Sequence, residues 1–180
     1  MSYTVTGAGR TACMTGGTLT LTATARAVEG TRILQLSPAE VITRYIIDTL
    51  ALMTDPDDRA DWPLYSTSLP DGDNVKANVG CVFDTTGVSD QRSMNGTWPE
   101  HPGIQLRIRA RNHKTGYQKI EVVAKALDEV AAASITIGSL EFEIQNVRRT
   151  SPIVPLGIEE GKRRVNFTVN FLITIRELTG

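Results

Sequence analysis

The stretch "RVNFTVNFLITIRE", residues 164–177, alternates apolar and polar side chains almost without interruption. Its apolar members are Val165, Phe167, Val169, Phe171, Ile173 and Ile175. Because successive side chains of a strand point to opposite faces, this alternation predicts a long strand with one buried face.

Three other segments alternate in the same way. "IQLRIRAR", residues 104–111, places Arg107, Arg109 and Arg111 on one face and an aliphatic row on the other. "LEFEIQ", residues 140–145, similarly places Glu141 and Glu143 opposite an apolar row. A further strand is predicted in "VKANVGCVF", residues 75–83, whose inner face would carry Val75, Ala77, Val79, Cys81 and Phe83.

Two helices are predicted beside these strands. In "SPAE", Ser37 is a suitable N-cap, Pro38 occupies the first helical position, and apolar residues recur at helical spacing to about Thr54. A second helix is predicted to begin at the cap Thr115 and to end near Ala133. Helices and strands do not alternate regularly, so we expect an α+β fold, a mostly antiparallel β-sheet with two α-helices packed on one face.

The first 36 residues differ in composition from the rest. They are rich in Thr, Gly and Ala, and "TLTLTATARA" alternates like a half-buried strand. A turn at Glu29-Gly30 and a short second strand follow. We therefore predict an N-terminal β-arm or hairpin over residues 1–36 and a main domain over residues 37–180.

The segment 85–101, "TTGVSDQRSMNGTWPEH", shows no periodicity. Connections of this length are usually functional or disordered. Aromatic and Met side chains are enriched at protein interfaces, so Met94 and Trp98 are predicted to contact a subunit or partner. The alternative is that Trp98 covers the rim of the core.

Composition narrows the possible functions. The 19 basic and 20 acidic residues leave a net charge of −1, which disfavours nucleic-acid binding as the main role. Cys81 is expected to be a small buried residue, and neither histidine has a ligand at metal-like spacing. We expect no catalytic residues, cofactor, metal or enzymatic activity. We find neither a signal-like segment nor a long apolar run, so we expect no membrane contact and synthesis in a reducing cytoplasm.

Three uses of the arginine row remain open. Arg107, Arg109 and Arg111 could contact phosphates, or they could simply keep one face of the sheet hydrated. They could also pair with Glu141 and Glu143, which share their two-residue spacing, in the same subunit or in a neighbouring copy. We favour the pairing, which makes all five residues a predicted interface.

The second half of the chain resembles the tail-terminator or minor capsid proteins of long-tailed bacteriophages. The likeness is carried by "PGIQLRIRARNHKTGYQKIEVVAKALDEV" and by "SPIVPLGIEEGKRRVNFTVNFLITI". Residues that fit the closing pattern of the family are Gly157, Glu160, Gly161, Arg163, Phe167, Asn170 and Phe171. The capped helix at 38–54 suits the family's opening helix, whereas residues 1–36 lie outside the likeness.

The resemblance implies a structural virion protein in the tail or neck, assembled in the host cytoplasm. It would form a homo-oligomeric ring, expected to be a hexamer, that caps the tail tube and joins the tail to the head-tail connector protein. DNA would pass through the bore without being read. The alternatives are a head-completion or connector protein of the same virion, or a small nucleic-acid-binding module.

Overall fold

The computed structural model describes residues 3–7, 10–15, 18–23, 34–58, 61–71, 76–89, 100–159 and 163–178. The chain divides into two compact units, Met1–Ile33 and Leu34–Gly180. The first unit contains a three-stranded antiparallel sheet of consecutive strands: β1 (Tyr3–Gly7), β2 (Arg10–Thr15) and β3 (Thr18–Ala23). The predicted turn at Glu29-Gly30 lies outside the described residues.

The second unit is a seven-stranded sheet with two α-helices. Its elements are α1 (Pro38–Arg44), β4 (Leu64–Ser66), β5 (Val79–Ser89), β6 (Glu100–Ala110), α2 (His113–Asp128), β7 (Ala131–Ile137), β8 (Leu140–Arg149), β9 (Val154–Glu159) and β10 (Arg164–Leu178). The strand order is β4-β5-β6-β10-β8-β7, with β9 also paired to β10. Apart from the parallel pair β4–β5, all these pairings are antiparallel. The predicted α+β class is confirmed.

Strand β10 lies between two groups of strands, as its long alternating sequence allows. One side pairs with β6 from Val165 to Leu172, and the other side pairs first with β9 and then with β8. Phe167 and Phe171 are buried in one core with apolar residues from both helices. The helices therefore cover the same face of the sheet, which we call the helix face.

The start of α1 is fixed by two oxygen acceptors. The Ser37 hydroxyl accepts from the Glu40 N–H at 3.2 Å, and the Asp84 carboxylate of β5 accepts from the Ala39 N–H at 2.9 Å. The predicted cap is therefore confirmed, and β5 ties the helix to the sheet. A π-helical turn, Tyr45–Thr49, extends α1, so the helical segment ends earlier than the predicted Thr54.

The second helix differs from its prediction at both ends. Asn112, rather than Thr115, is the N-cap, and its side chain accepts from the Lys114 N–H at 2.8 Å. The helix ends at Asp128, and Ala131–Ile137 forms β7 instead of a last helical turn. Pairing with β8 and burial of Ile135 outweigh the local helix preference of the alanines in this segment.

The predicted inner face of β5 was wrong. Val79, Cys81 and Phe83 lie opposite Arg109, Arg107 and Gln105 of β6, and thus on the face away from the helices. The helix face of β5 instead carries Gly80 and Val82. A Cβ at Gly80 would lie 2.5 Å from Met53 Cε and 2.8 Å from Leu64 Cδ1, so neighbouring side chains already fill that space. Val75 lies outside the described residues.

The predicted loop 85–101 is shorter than expected at both ends. Strand β5 continues to Ser89 and β6 begins at Glu100, so both ends of the segment form an antiparallel pair. A register irregularity between Thr85 and Val88 accommodates "TTGV", which does not alternate like a regular strand. The remaining residues, 90–99, lie outside the described part of the chain.

Candidate functional site

The sheet face opposite the helices carries the predicted arginine row, and we call it the polar face. The register places Arg109 between Val79 of β5 and Asn166 of β10. Arg107 lies between Cys81 and Thr168 in the next row on that face. Cys81 and Thr168 are buried as well, so this part of the polar face is a covered layer.

Arg109 is held inside this layer. Its residue is only 2% exposed, and Nη2 donates to the Pro70 carbonyl at 3.0 Å. Removal from water lowers the pKa of the Arg109 guanidinium, and the nearby charge of Arg164 lowers it further. Glu159 and Asp71 act in the opposite direction and raise that pKa. Arg109 therefore links the segment after β4 to the sheet.

The other two arginines have different surroundings. The guanidinium of Arg107 lies 5.3 Å from the centre of the Phe83 ring, a cation–π contact, and the residue is half-buried. Arg111 follows the end of β6 and is exposed. The three arginines thus do not form a uniform solvated row, because Arg109 is buried against the Pro70 carbonyl and Arg107 is half-buried beside the Phe83 ring.

Cys81 lies beneath this arginine layer. It is a free, fully buried cysteine, as its sequence context predicted, although it lies on the polar face. Burial raises the pKa of its thiol to about 12, and the charge of Arg107 opposes that rise only in part. A thiol held neutral in this way is a poor nucleophile and a poor metal ligand.

The structure does not bring Glu141 and Glu143 to the arginines. Strand β10 separates β6 from β8, and Glu143 lies opposite Arg176 of β10, whereas Arg109 lies opposite Asn166. Those two β10 positions are roughly 30 Å apart along the strand at its usual rise per residue. Glu143 also accepts from Gln145 Nε2 at 3.2 Å. Pairing within one subunit was therefore wrong, and pairing between copies stays a prediction.

Two further parts of the chain concern partner binding: the predicted loop residues and strand β9. Met94 and Trp98 lie outside the described residues. Strand β9 is not among the strands predicted from the sequence, because Pro155 and Gly157 interrupt its pattern. Its exposed apolar side chains are Val154 at 40%, Leu156 at 50% and Ile158 at 72% exposure. The alternation "VPLGI" could have indicated this short strand.

Beyond these surfaces, the described residues offer little chemistry. No group of three His, Cys, Asp or Glu side chains comes together there in a way that could hold a metal ion. In the same residues, every helix is too short or too polar to cross a membrane. No protein-family model matches the chain, and no curated protein matches it either.

Proposed function

We propose that this chain is a structural virion protein, a tail terminator that forms a ring, caps the tail tube and binds the head-tail connector protein. The proposal starts from the resemblance in residues 37–178. Four of the residues that carry this likeness have structural roles suited to a shared fold. Phe167 and Phe171 lie in the core, Gly157 adopts φ +96°, and the Asn170 side chain accepts from Gln105 Nε2 at 3.0 Å.

The observation that carries a protein-binding role is the surface of β9. Three of the six exposed large apolar side chains in the described residues, Val154, Leu156 and Ile158, belong to this six-residue strand. The register places Val154 opposite Thr168 and Ile158 opposite Val165, so these side chains lie on the two faces of the strand. Exposed apolar side chains along an edge strand mark a strand that another protein can cover. In a tail terminator, the tail tube or the connector protein would cover them.

The alternative of a nucleic-acid-binding module loses its main support. It depended on three arginines reaching phosphates, yet Arg109 is buried and donates to a backbone carbonyl. Arg107 is half-buried and contacts the Phe83 ring, so Arg111 is the one exposed member of the row. Salt-dependent binding to duplex DNA requires several exposed basic groups.

Reconstitution with virion proteins tests the proposal. The purified chain is mixed separately with tail-tube protein and with connector protein of the same virion, and the products are imaged by negative-stain electron microscopy. Rings on tube ends support a tail terminator. Rings that bind only the connector support the head-completion alternative, and a chain that binds neither protein contradicts both.

Substitutions on β9 test whether its exposed apolar side chains bind the partner protein. Ile158→Asp places a charge on the most exposed apolar residue, so binding to tube or connector should weaken by at least tenfold while the fold is kept. Val122→Asp on α2 is the matched control, because Val122 is also exposed, at 51%. Equal binding by both variants would show that β9 is not the partner surface.

A further inference from the structure

Strand β7 forms one edge of the large sheet and lacks the usual protection of an edge strand. In the described residues it pairs with β8 alone. Its sequence, "AAASITI", contains no charged residue and no proline. Proteins normally use charges, prolines or bulges to stop exposed edges from pairing with other chains. From Ala133 to Ile137 the strand follows a regular register with β8, and no other described strand pairs with its second edge.

The opposite edge of the sheet is also partly open. Strand β4 covers only Gly80, Cys81 and Val82 of β5. The following segment of β5, Phe83–Ser89, pairs in the described part of the chain with β6 alone. Its one charged residue, Asp84, already accepts from the Ala39 N–H of α1. Its register irregularity lies between Thr85 and Val88, so the regular pairing with β6 covers Phe83–Thr85 and then Val88–Ser89.

Both open edges lie at the same end of the sheet. One row of partners crosses it from Val88 through His101, whose Nδ1 lies 2.9 Å from Thr174 Oγ1. The same row continues from Thr174 through Asn146 to Ala131 of β7. Four successive antiparallel pairings separate β5 from β7, so the two strands run in the same direction. When the sheets of two copies lie side by side in the same orientation, β7 of one copy therefore runs parallel to β5 of the other.

We infer that β7 of one copy pairs in parallel with Phe83–Ser89 of the next copy. This contact deepens the proposed function, because it supplies the subunit interface of the ring. A head-to-tail contact uses two different surfaces and closes into a ring when the rotation allows. The two edge segments lie on opposite sides of the row through Thr174, so successive copies would be staggered. A constant stagger is what a closed sheet of tilted strands requires.

Charge substitutions on β7 test the contact. Ser134 and Thr136 are exposed on the polar face, so the double variant Ser134→Lys/Thr136→Lys should fold normally and place two charges at the edge. We expect light scattering to show the mass falling from that of the ring to the 19.6 kDa of one chain. Gln118→Lys on the exposed surface of α2 is the matched control and should still assemble. A β7 variant that assembles like the control overturns the inference.

Cross-linking identifies the partner strand. Thr136→Cys and Thr85→Cys are prepared separately in a Cys13→Ser background, because both threonines are exposed on the polar face and Cys81 is buried. A short bismaleimide should link copies when the two variants are mixed and should link neither variant alone. Cross-linking of Thr136→Cys alone would mean that β7 pairs with itself around a twofold axis. That result, or an absence of cross-links in the mixture, overturns the inference.

The two proposals fail in different ways. If the unaltered chain caps tubes as rings and the β7 variant does too, the proposed function stands and the β7 contact is wrong. If the unaltered chain binds neither tube nor connector, yet the mixed cysteine variants cross-link at high concentration, the contact stands and the proposed function is wrong.

Discussion

Phe167 and Thr168 are neighbours in β10, and both are buried, but they lie on opposite faces of the sheet. Phe167 packs in an apolar core that α1 and α2 complete. Thr168 lies in the layer that contains Arg107 and Cys81. One strand therefore contributes to an apolar core on its helix face and to a mixed, partly charged layer on its polar face.

The difference lies in what covers each face. Two helices lie on the helix face, and both supply apolar side chains to its core. On the polar face, the segment after β4 reaches the Arg109 guanidinium through the Pro70 carbonyl. Close by, the Thr168 hydroxyl and the Nε atoms of Arg107 and Arg109 are buried without a hydrogen-bond partner among the described residues. We therefore expect apolar packing to contribute most of the stability on the helix face. On the polar face, we expect stability to depend on whether the buried polar groups have hydrogen-bond partners.

Truncating Phe167 should give the largest effect on stability. Phe167→Ala removes a fully buried ring and leaves a cavity beneath α2, so the free energy of unfolding should fall by about 3–5 kcal/mol. Urea titration followed by circular dichroism measures this loss. Val122→Ala, on the exposed side of α2, should change stability by less than about 0.5 kcal/mol. Similar losses in both variants would contradict the assignment of the core to this face.

Arg109 provides the corresponding test of the polar face. Arg109→Ala leaves the Pro70 carbonyl without its donor and removes a positive charge near Glu159 and Asp71. The free energy of unfolding should fall by about 1.5–3 kcal/mol, the range for hydrogen bonds to charged groups. The control Arg111→Ala, at an exposed position, should unfold like the unaltered chain. If the two alanine variants are equally stable, Arg109 has no structural role.

These assignments show what the sequence could predict. The strand β10 and the cap at Ser37 were predicted correctly, because a strand's buried face and a helix start depend on nearby residues. The end of α2 was not, because pairing with β8 decides whether Ala131–Ala133 extends a helix or forms a strand.

The candidate site was less predictable for a related reason. A period of two shows that Arg107 and Arg109 share a face, but it does not show that a distant segment covers that face. The spacing of Glu141 and Glu143 matched theirs, yet the strand order places β10 between the two rows. The exposed strand β9 was missed because Pro155 and Gly157 hide its pattern.

Glu177 is a buried polar residue on the helix face, where it lies opposite Phe142. Its carboxylate accepts from the Gln35 backbone N–H at 3.0 Å and from Gln35 Nε2 at 3.2 Å. Gln35→Ala removes the second of these bonds, so we expect a loss of about 1–1.5 kcal/mol in thermal or urea unfolding. Gln118→Ala on the exposed surface of α2 is the control. An equal effect of the two substitutions would mean that the side-chain bond to Glu177 adds no stability.

Substitution of Cys81 should have the smallest effect on stability, and the pH dependence of that effect reports on the polar face. Cys81→Ala removes one buried sulfur and should cost roughly 1 kcal/mol near neutral pH, comparable to one buried methylene group. The native thiol pKa is raised to about 12 from an ordinary value of 9.0, so the folded state keeps its proton where the unfolded state releases it. The stability contributed by Cys81 is therefore complete below pH 9.0 and declines as pH rises toward 12.

This decline predicts a reversal of sign. At pH 10, proton release should favour the unfolded state of the unaltered chain by about 1.4 kcal/mol, a cost that the alanine variant does not have. The variant should therefore be less stable at pH 7 and equally or more stable at pH 10. Urea unfolding of both chains at the two pH values measures the difference, in which the titration of other groups cancels. A difference that does not change with pH would mean that the thiol is not held neutral beneath Arg107, and that the polar face is more open to water than its burial indicates.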